Sequence, residues 1–197
     1  MILEVFEIQK KDVRRKYLSI RSKMEKNDVT ERSSCIAEKL NRMEYIINAA
    51  SIMCYVSFGN EVFTHELIKK WIREGKQVSV PCTVINNEQK YMHAVRIKAF
   101  DELKAEGNYG IPEPILRKCN IIRPDMLDII IVPGSVFDIH KNRMGYGAGF
   151  YDSFLSGVSG RCQKIGLCFE FQLLDKIPFE EYDVPLDLLV TEKRIIV

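Results

Sequence analysis

Apolar positions in this chain recur at helical spacing in four stretches and gather into short, almost unbroken runs in six others. Over residues 4–26, Val13, Tyr17, Ile20 and Met24 share one arc at roughly 100° per residue, which predicts a single helix. Lys10, Arg14 and Arg21 form a second ridge at the edge of that arc, with Tyr17 common to both, while Lys11, Arg15, Lys16 and Lys23 make an opposite, solvated face. A second helix is predicted from near Thr30, capped by Thr30 or Ser33, with Ile36, Leu40 and Met43 on one side. The pattern changes at Ala49. Residues 51–57 suit a buried strand, Gly59-Asn60 breaks it, and residues 63–74 return to helical period through Leu67, Ile68, Trp71 and Ile72 until Gly75. Residues 77–80 predict a strand stopped by Pro81, and residues 91–97 another after the Asn86-Asn87 turn. Residues 107–125, with three prolines and little periodicity, read as an ordered surface loop. Residues 129–133 are the most hydrophobic run and predict a central parallel strand. A helix over 150–158 and strands over 164–168 and 188–191 complete the series.

Strands alternating with helices imply an α/β fold: a three-layer, Rossmann-like sandwich with a mostly parallel central sheet and the N-terminal helices packed on it. At 197 residues the chain is expected to form a single domain over 1–197. Such sheets bind ligands beyond the carboxyl ends of their strands, which points to the loops 58–64, 81–83 and 134–149.

Composition narrows the class without naming a function. Apolar residues make 46% of the chain and charged residues 28%, as in ordinary globular proteins. The net charge of +2 is uneven, because residues 1–42 hold eleven Lys/Arg against seven Asp/Glu. The acidic remainder argues against a nucleic-acid partner, which needs a wider basic patch. The longest stretch without charge, residues 45–60, has 16 residues and falls short of the roughly 20 of a membrane span. Glu4 and Glu7 stand where a secretory leader wants basic residues. Cys35, Cys54, Cys82, Cys119, Cys162 and Cys168 are scattered, without zinc spacing, as expected of free thiols in a reducing cytoplasm.

The chemistry concentrates in Val132-Pro133-Gly134-Ser135-Val136-Phe137-Asp138, continued by Asn142-Arg143-Met144-Gly145-Tyr146-Gly147-Ala148-Gly149-Phe150-Tyr151-Asp152. Alternate glycines let backbone N–H groups approach a ligand, a following helix favours an anion, Arg143 adds a positive charge, and Asp152 could hold a metal. A tight strand-to-helix connection is the plainer alternative. The ridge cations are either solvating or reach toward phosphates held by that loop. Glu61, after a strand and a glycine turn, is either a solvated carboxylate or an acceptor for paired donors of an amino-substituted heterocycle. His65, His93 and His140 stand apart, with no nucleophile arranged beside them.

The chain resembles the 5-formyltetrahydrofolate cyclo-ligase family over nearly its whole length: Lys10-Lys11-Asp12-Val13-Arg14, then Tyr55-Val56-Ser57 with Glu61 and Thr64, then Gly110-Ile111-Pro112-Glu113-Pro114, and the glycine segment itself. The resemblance implies a cytoplasmic ligase, expected to be a monomer without nucleic-acid or membrane partners. It would use ATP as co-substrate with Mg²⁺ to close the reduced folate 5-formyltetrahydrofolate to 5,10-methenyltetrahydrofolate. The formyl oxygen would be phosphorylated, N10 would attack that carbon, and phosphate would leave, with ADP as the other product. Carried over, the catalytic charges are Lys10, Arg14 and Arg143. ATP would be held by Lys10, Lys11, Asp12, Val13, Arg14, Arg143, Met144, Gly145, Tyr146, Gly147, Ala148, Gly149, Phe150 and Tyr151. Folate would meet Val56, Glu61, Tyr109, Tyr146, Gly147, Ala148, Gly149 and Phe150, and Mg²⁺ would meet Asp152 and Asp187. Departures from the family pattern are Cys82 in place of an arginine, Phe150 for a tyrosine, Ala148 for glycine or lysine, and Lys141 where glycine precedes Asn142.

Overall fold

The computed structural model describes residues 2–86, 90–104, 107 and 110–197. The two expected N-terminal helices are present, with the break between them four residues earlier than the pattern predicts. Helix α1 spans Ile2–Ser22 and α2 begins at Lys26, running to Asn41. The break has a local cause: the Asn60 side-chain amide donates to the carbonyls of Arg21, Ser22 and Met24 at 3.0, 3.3 and 3.1 Å, satisfying the orphan acceptors that end a helix. Neither expected cap acts as one. The Thr30 hydroxyl bonds back to the Lys26 carbonyl at 2.9 Å inside α2, and the Ser33 hydroxyl accepts the Phe63 N–H at 3.0 Å.

Beyond α2 come α3 (Glu44–Asn48), β1 (Ser51–Cys54), α4 (His65–Arg73), β2 (Gln77–Ile85), β3 (Lys90–Arg96), β4 (Ile121–Ile122) and β5 (Ile129–Val132). Then follow β6 (Val136–Asp138), β7 (Arg143–Met144), α5 (Phe150–Leu155), β8 (Gln163–Leu167), β9 (Leu173–Leu174), β10 (Leu188–Val190) and β11 (Ile195–Ile196). Eight strands form one sheet in the order β11-β10-β8-β5-β1-β2-β3-β4. From β10 to β2 the neighbours are parallel, and β3, β4 and β11 add antiparallel edges. Strand β2 does not stop at Pro81. Its pairing with β1 ends at Ser79, so the missing proline N–H removes no bond on that side, and the strand continues against β3 to Ile85. A second, three-stranded sheet, β7-β6-β9, was not anticipated.

Side chains alternate between the faces of the large sheet. Ile52, Cys54, Ile129, Ile131, Leu188 and Val190 join Ile36, Leu40, Leu67, Ile68 and Trp71 from α2 and α4. Met53, Ile130, Val132 and Leu189 join Phe150, Phe154 and Leu155 from α5. Helix α1 packs elsewhere than expected: Val13 and Tyr17 lie on Val136, Met144 and Ile177 beside the small sheet, while Ile20 is exposed. Among the described residues no helix is long and apolar enough to cross a membrane.

The strand order reverses beside β1, since the chain proceeds from β1 to β2 on one side and returns to β5 on the other. The loops after β1 and β5 therefore open a crevice at a topological switch point. Gly166 keeps the neighbouring β8 tight. A Cβ there would stand 2.6 Å from Leu189 Cδ2 and 2.7 Å from Leu186 Cδ1. Gly166→Ala is expected to lower stability by about 1–3 kcal/mol, as overpacking does. Urea unfolding should show a lower midpoint with an unchanged slope, and an unaltered midpoint would show that these leucines yield freely.

Candidate active site

The loop after β1 is closed by Thr64. Its hydroxyl donates to the Tyr55 carbonyl at 2.7 Å and accepts the Ser57 N–H at 3.0 Å, while its own N–H meets the Ser57 hydroxyl at 3.1 Å. That closure turns Glu61 inward, where it is 4% exposed. One carboxylate oxygen accepts the Phe58 N–H at 3.1 Å. The other accepts a hydrogen bond from the Tyr146 hydroxyl and faces Arg21 at 3.9 Å. Arg21 in turn donates to the Tyr146 hydroxyl at 2.9 Å and to the Gly134 carbonyl at 3.2 Å. Burial pushes the Glu61 carboxyl above its ordinary range, against the opposing pull of Arg21, the Tyr146 hydroxyl and the Phe58 amide. Burial likewise pushes the Tyr146 hydroxyl up, aided by the Glu61 charge.

The glycine loop rests on two arginines. Arg143, on β7, has a side chain 2% exposed and donates to Asp152 Oδ1 at 2.7 Å, with its guanidinium over the Tyr151 ring at 5.6 Å. Its Nε and the Tyr151 hydroxyl are buried polar groups without a hydrogen-bond partner. Arg14, from α1, donates to the Gly145 carbonyl at 2.8 Å. Packing explains two of the glycines: a Cβ on Gly145 would stand 2.7 Å from Arg143 Nη1, and one on Gly147 3.2 Å from Arg14 Nη1. Gly149, at φ 74°, makes the left-handed turn into α5. Helix α5 has only six residues, so the helix-dipole contribution expected at this loop is small. The turn before β7 is set by the fully buried Asp138, which accepts from the backbone N–H groups of His140, Asn142 and Ile177 and from the Asn142 amide. Lys141 within that turn takes φ 69°, the conformation that makes glycine the usual occupant.

Not every expected residue arrives. Lys10 does, but it is held by Asp183 at 2.8 Å and, through a shorter contact, by Glu180. Its burial lowers the ammonium pKa, and hydrogen bonds to those two carboxylates more than reverse this, leaving it above its ordinary value. Lys11 is exposed, Asp12 pairs with Arg15 at 2.8 Å on the outer face of α1, and Val13 packs on the small sheet. Val56 and Phe150 are buried in the two cores and do not form the crevice rim, where Tyr146 and Phe58 are exposed instead. Met144 is buried, whereas Gly147, Ala148 and Gly149 are exposed. Tyr109 lies outside the described residues.

Asp187 does not face the crevice. It immediately precedes β10 and binds Lys164 at the start of β8, accepting its N–H at 2.7 Å and pairing with its ammonium at 2.9 Å. That is the amino end of the parallel strands. The segment that reaches Asp152 is the one just before Asp187: the Val184 N–H points toward Asp152 Oδ1 at 3.4 Å, and the adjacent Asp183 carboxylate accepts from Lys10 and from the Glu180 N–H. Pattern reading offered Arg21 only as a ridge cation and did not name Asp183. Arg21 stood in plain view on the α1 ridge, yet helical spacing carries no sign that it would meet Glu61 rather than a phosphate.

A mostly parallel sheet whose order reverses beside an arginine-lined glycine loop, with a buried carboxylate bonded to that loop, marks an α/β protein with a candidate ligand site at the switch point. Residues 7–192 match the 5-formyltetrahydrofolate cyclo-ligase family, and the chain belongs to that family of ligases. It is 29% identical to 5-formyltetrahydrofolate cyclo-ligase of Saccharomyces cerevisiae, covering 90% of this chain and 92% of the yeast protein. With the cyclo-ligase of Haemophilus influenzae it shares 34% identity over 72% of this chain and 76% of that protein. The NMR structure of Aquifex aeolicus 5,10-methenyltetrahydrofolate synthetase superposes with a TM-score of 0.81 at 27% identity, covering 94% of this chain and 91% of that one.

The Glu61 environment has a consequence for stability. A carboxyl whose folded pKa is raised contributes stability that is complete below the unfolded value of 4.5 and is lost as pH rises through the folded value. The stability of the wild type relative to Glu61→Gln, which stays neutral throughout, is therefore expected to fall as pH climbs from 4.5 toward neutrality. Parallel urea titrations measure it. A constant difference would show that Glu61 ionises as easily in the fold as in the unfolded chain.

Proposed function

We propose that this chain closes 5-formyltetrahydrofolate to 5,10-methenyltetrahydrofolate at the expense of ATP, at the crevice between the loops after β1 and β5. The observation that carries the assignment is the convergence on one glycine loop of Arg14, of Arg143 with its unpartnered Nε, and of the buried Glu61, bonded through Tyr146 of that loop; the buried Tyr151 hydroxyl next to it is also unpartnered. Unpaired buried donors are costly, and an anion with several oxygens offers them partners. Glu61, with two carboxylate oxygens, suits the adjacent N–H groups of the pterin ring.

The reaction then needs little covalent chemistry from the protein. The formyl oxygen attacks the γ-phosphorus, the bond from that phosphorus to the ADP oxygen breaks, and the formyl carbon becomes a phosphate ester of an imidate. N10 attacks this carbon, the carbon–oxygen bond to phosphate breaks, and the N10 proton leaves with the departing phosphate or water. Arg14 and Arg143 hold and neutralise the phosphate oxygens, Lys10 adds charge at the far edge, and Glu61 fixes the pterin so that the formyl oxygen faces the loop.

The carboxylates present fit Mg²⁺. Among the described residues no group of three or more His, Cys, Asp or Glu side chains is placed to hold a metal by itself, and Mg²⁺ is commonly bound by one or two carboxylates together with substrate phosphates. Asp152, with a side chain 21% exposed, and Asp183 would hold it. When bound, the ion supplies positive charge to the phosphate oxygens.

The direct test follows methenyl-folate absorbance on mixing the protein with 5-formyltetrahydrofolate, ATP and Mg²⁺. A folded protein giving no ATP-dependent signal would sink the proposal. Within that assay, Asp152→Asn and Asp183→Asn are each expected to cost about 100-fold in turnover, the scale of losing one charged stabiliser. Asp187→Asn should turn over as the wild type does. Loss of turnover in Asp187→Asn, with Asp183→Asn unaffected, would return the second metal role to Asp187.

A further inference from the structure

Glu61 is already engaged. Its two oxygens receive the Phe58 N–H and the Tyr146 hydroxyl, with Arg21 behind the same oxygen as the phenol. A heterocycle presenting two adjacent N–H donors needs both oxygens from the open side of the carboxylate, and the phenol holds one of them. Tyr146 is poised to leave. It is 38% exposed, meets Phe58 at a tilted 52° with 6.0 Å between ring centroids, lies under the Arg21 guanidinium at 5.6 Å, and is flanked by Gly145 and Gly147. Those same glycines carry the other contact of the loop, the Gly145 carbonyl accepting from Arg14 and Gly147 lying against the Arg14 guanidinium.

Resting on the folate reading of Glu61, we propose that Tyr146 is an internal stand-in for the substrate ring. Its hydroxyl occupies Glu61, must be displaced when folate binds, and by its displacement resets the loop that holds phosphate. Folate and nucleotide are then coupled through one residue. By linkage, each raises the affinity of the other by the same factor. The hydroxyl's hydrogen bonds to a carboxylate and from a guanidinium stabilise the engaged conformation, so removing the hydroxyl raises the share of chains ready to bind folate.

The test is calorimetric titration of 5-formyltetrahydrofolate into the wild type and Tyr146→Phe, each with and without a non-hydrolysable ATP analogue and Mg²⁺. Tyr146→Phe, which keeps the ring, is expected to bind folate about tenfold more tightly. The factor by which the nucleotide analogue strengthens folate binding should shrink toward one. Tyr146→Leu, lacking both ring and hydroxyl, should show the same loss of coupling. Equal or weaker folate binding by Tyr146→Phe, or unchanged coupling, would overturn this inference while leaving the folate site intact. Absence of folate binding by both proteins would overturn the folate reading of Glu61 and the inference together.

Discussion

Charge taken out of water has to be answered by charge or by hydrogen bonds, and that requirement shapes this molecule at the mouth of its crevice. Arg21, Glu61 and Arg143 are all nearly buried there, at 7%, 4% and 5% exposure. Arg21 reaches Glu61 only across 3.9 Å, and the Tyr146 hydroxyl fills the gap by donating to one and accepting from the other. Arg143 is answered by Asp152 on one side, and its Nε is left over. The path of the glycine loop follows from these pairings. Tyr146 must reach across to Glu61, Gly145 must lie close to Arg143, and Asp152 must come in the first turn of α5. A loop that would be floppy in isolation is thereby threaded over two guanidinium groups.

The large-scale fold was written plainly in the chain. The run at 129–132 is flanked by β1 and β8 at the centre of the sheet, as its unbroken hydrophobicity requires, and α4 buries Leu67, Ile68 and Trp71 as their spacing indicates. The small sheet was not readable, because strands of two or three residues are too short to show a period. Helix α1 illustrates a different limit. Its apolar arc was real, but a moment says only that one side is covered, not by what. Pro81 was misjudged for a related reason: a proline breaks a strand only where its N–H is wanted, and where β1 stops is a fact of tertiary structure. The family resemblance singled out Arg14, Arg143, Glu61 and Asp152, and the structure gathers them around the glycine loop. The placement of Asp187 beside Lys164 was not legible, since Asp183 and Asp187 stand four residues apart in one loop-to-strand segment and only the β8–β10 register sets Asp187 at the amino end of the sheet.

Cys82 shows how a departure from family pattern can be absorbed. Where an arginine is usual, its thiol lies 4.0 Å from Glu113 Oε2 and 3.8 Å from the Pro114 carbonyl, contacts of a weak, neutral donor. Burial, with the Glu113 charge, pushes the thiol pKa up to about 11, so it stays protonated and adds no second negative charge beside the carboxylate. Glu113 is held instead by its neighbour in β2, accepting the Thr83 N–H at 3.1 Å and its hydroxyl at 2.6 Å. The segment from 110 to 114 is thus fastened to β2 by hydrogen bonds in place of an ion pair. This fastening survives salt better than an exposed ion pair would, since hydrogen bonds to a fixed strand depend little on screening. Relative to the family pattern, the substitution leaves this position of β2 without a positive charge. In the proposed reaction the phosphate would then rest on Arg14 and Arg143, the two residues over which the glycine loop is folded.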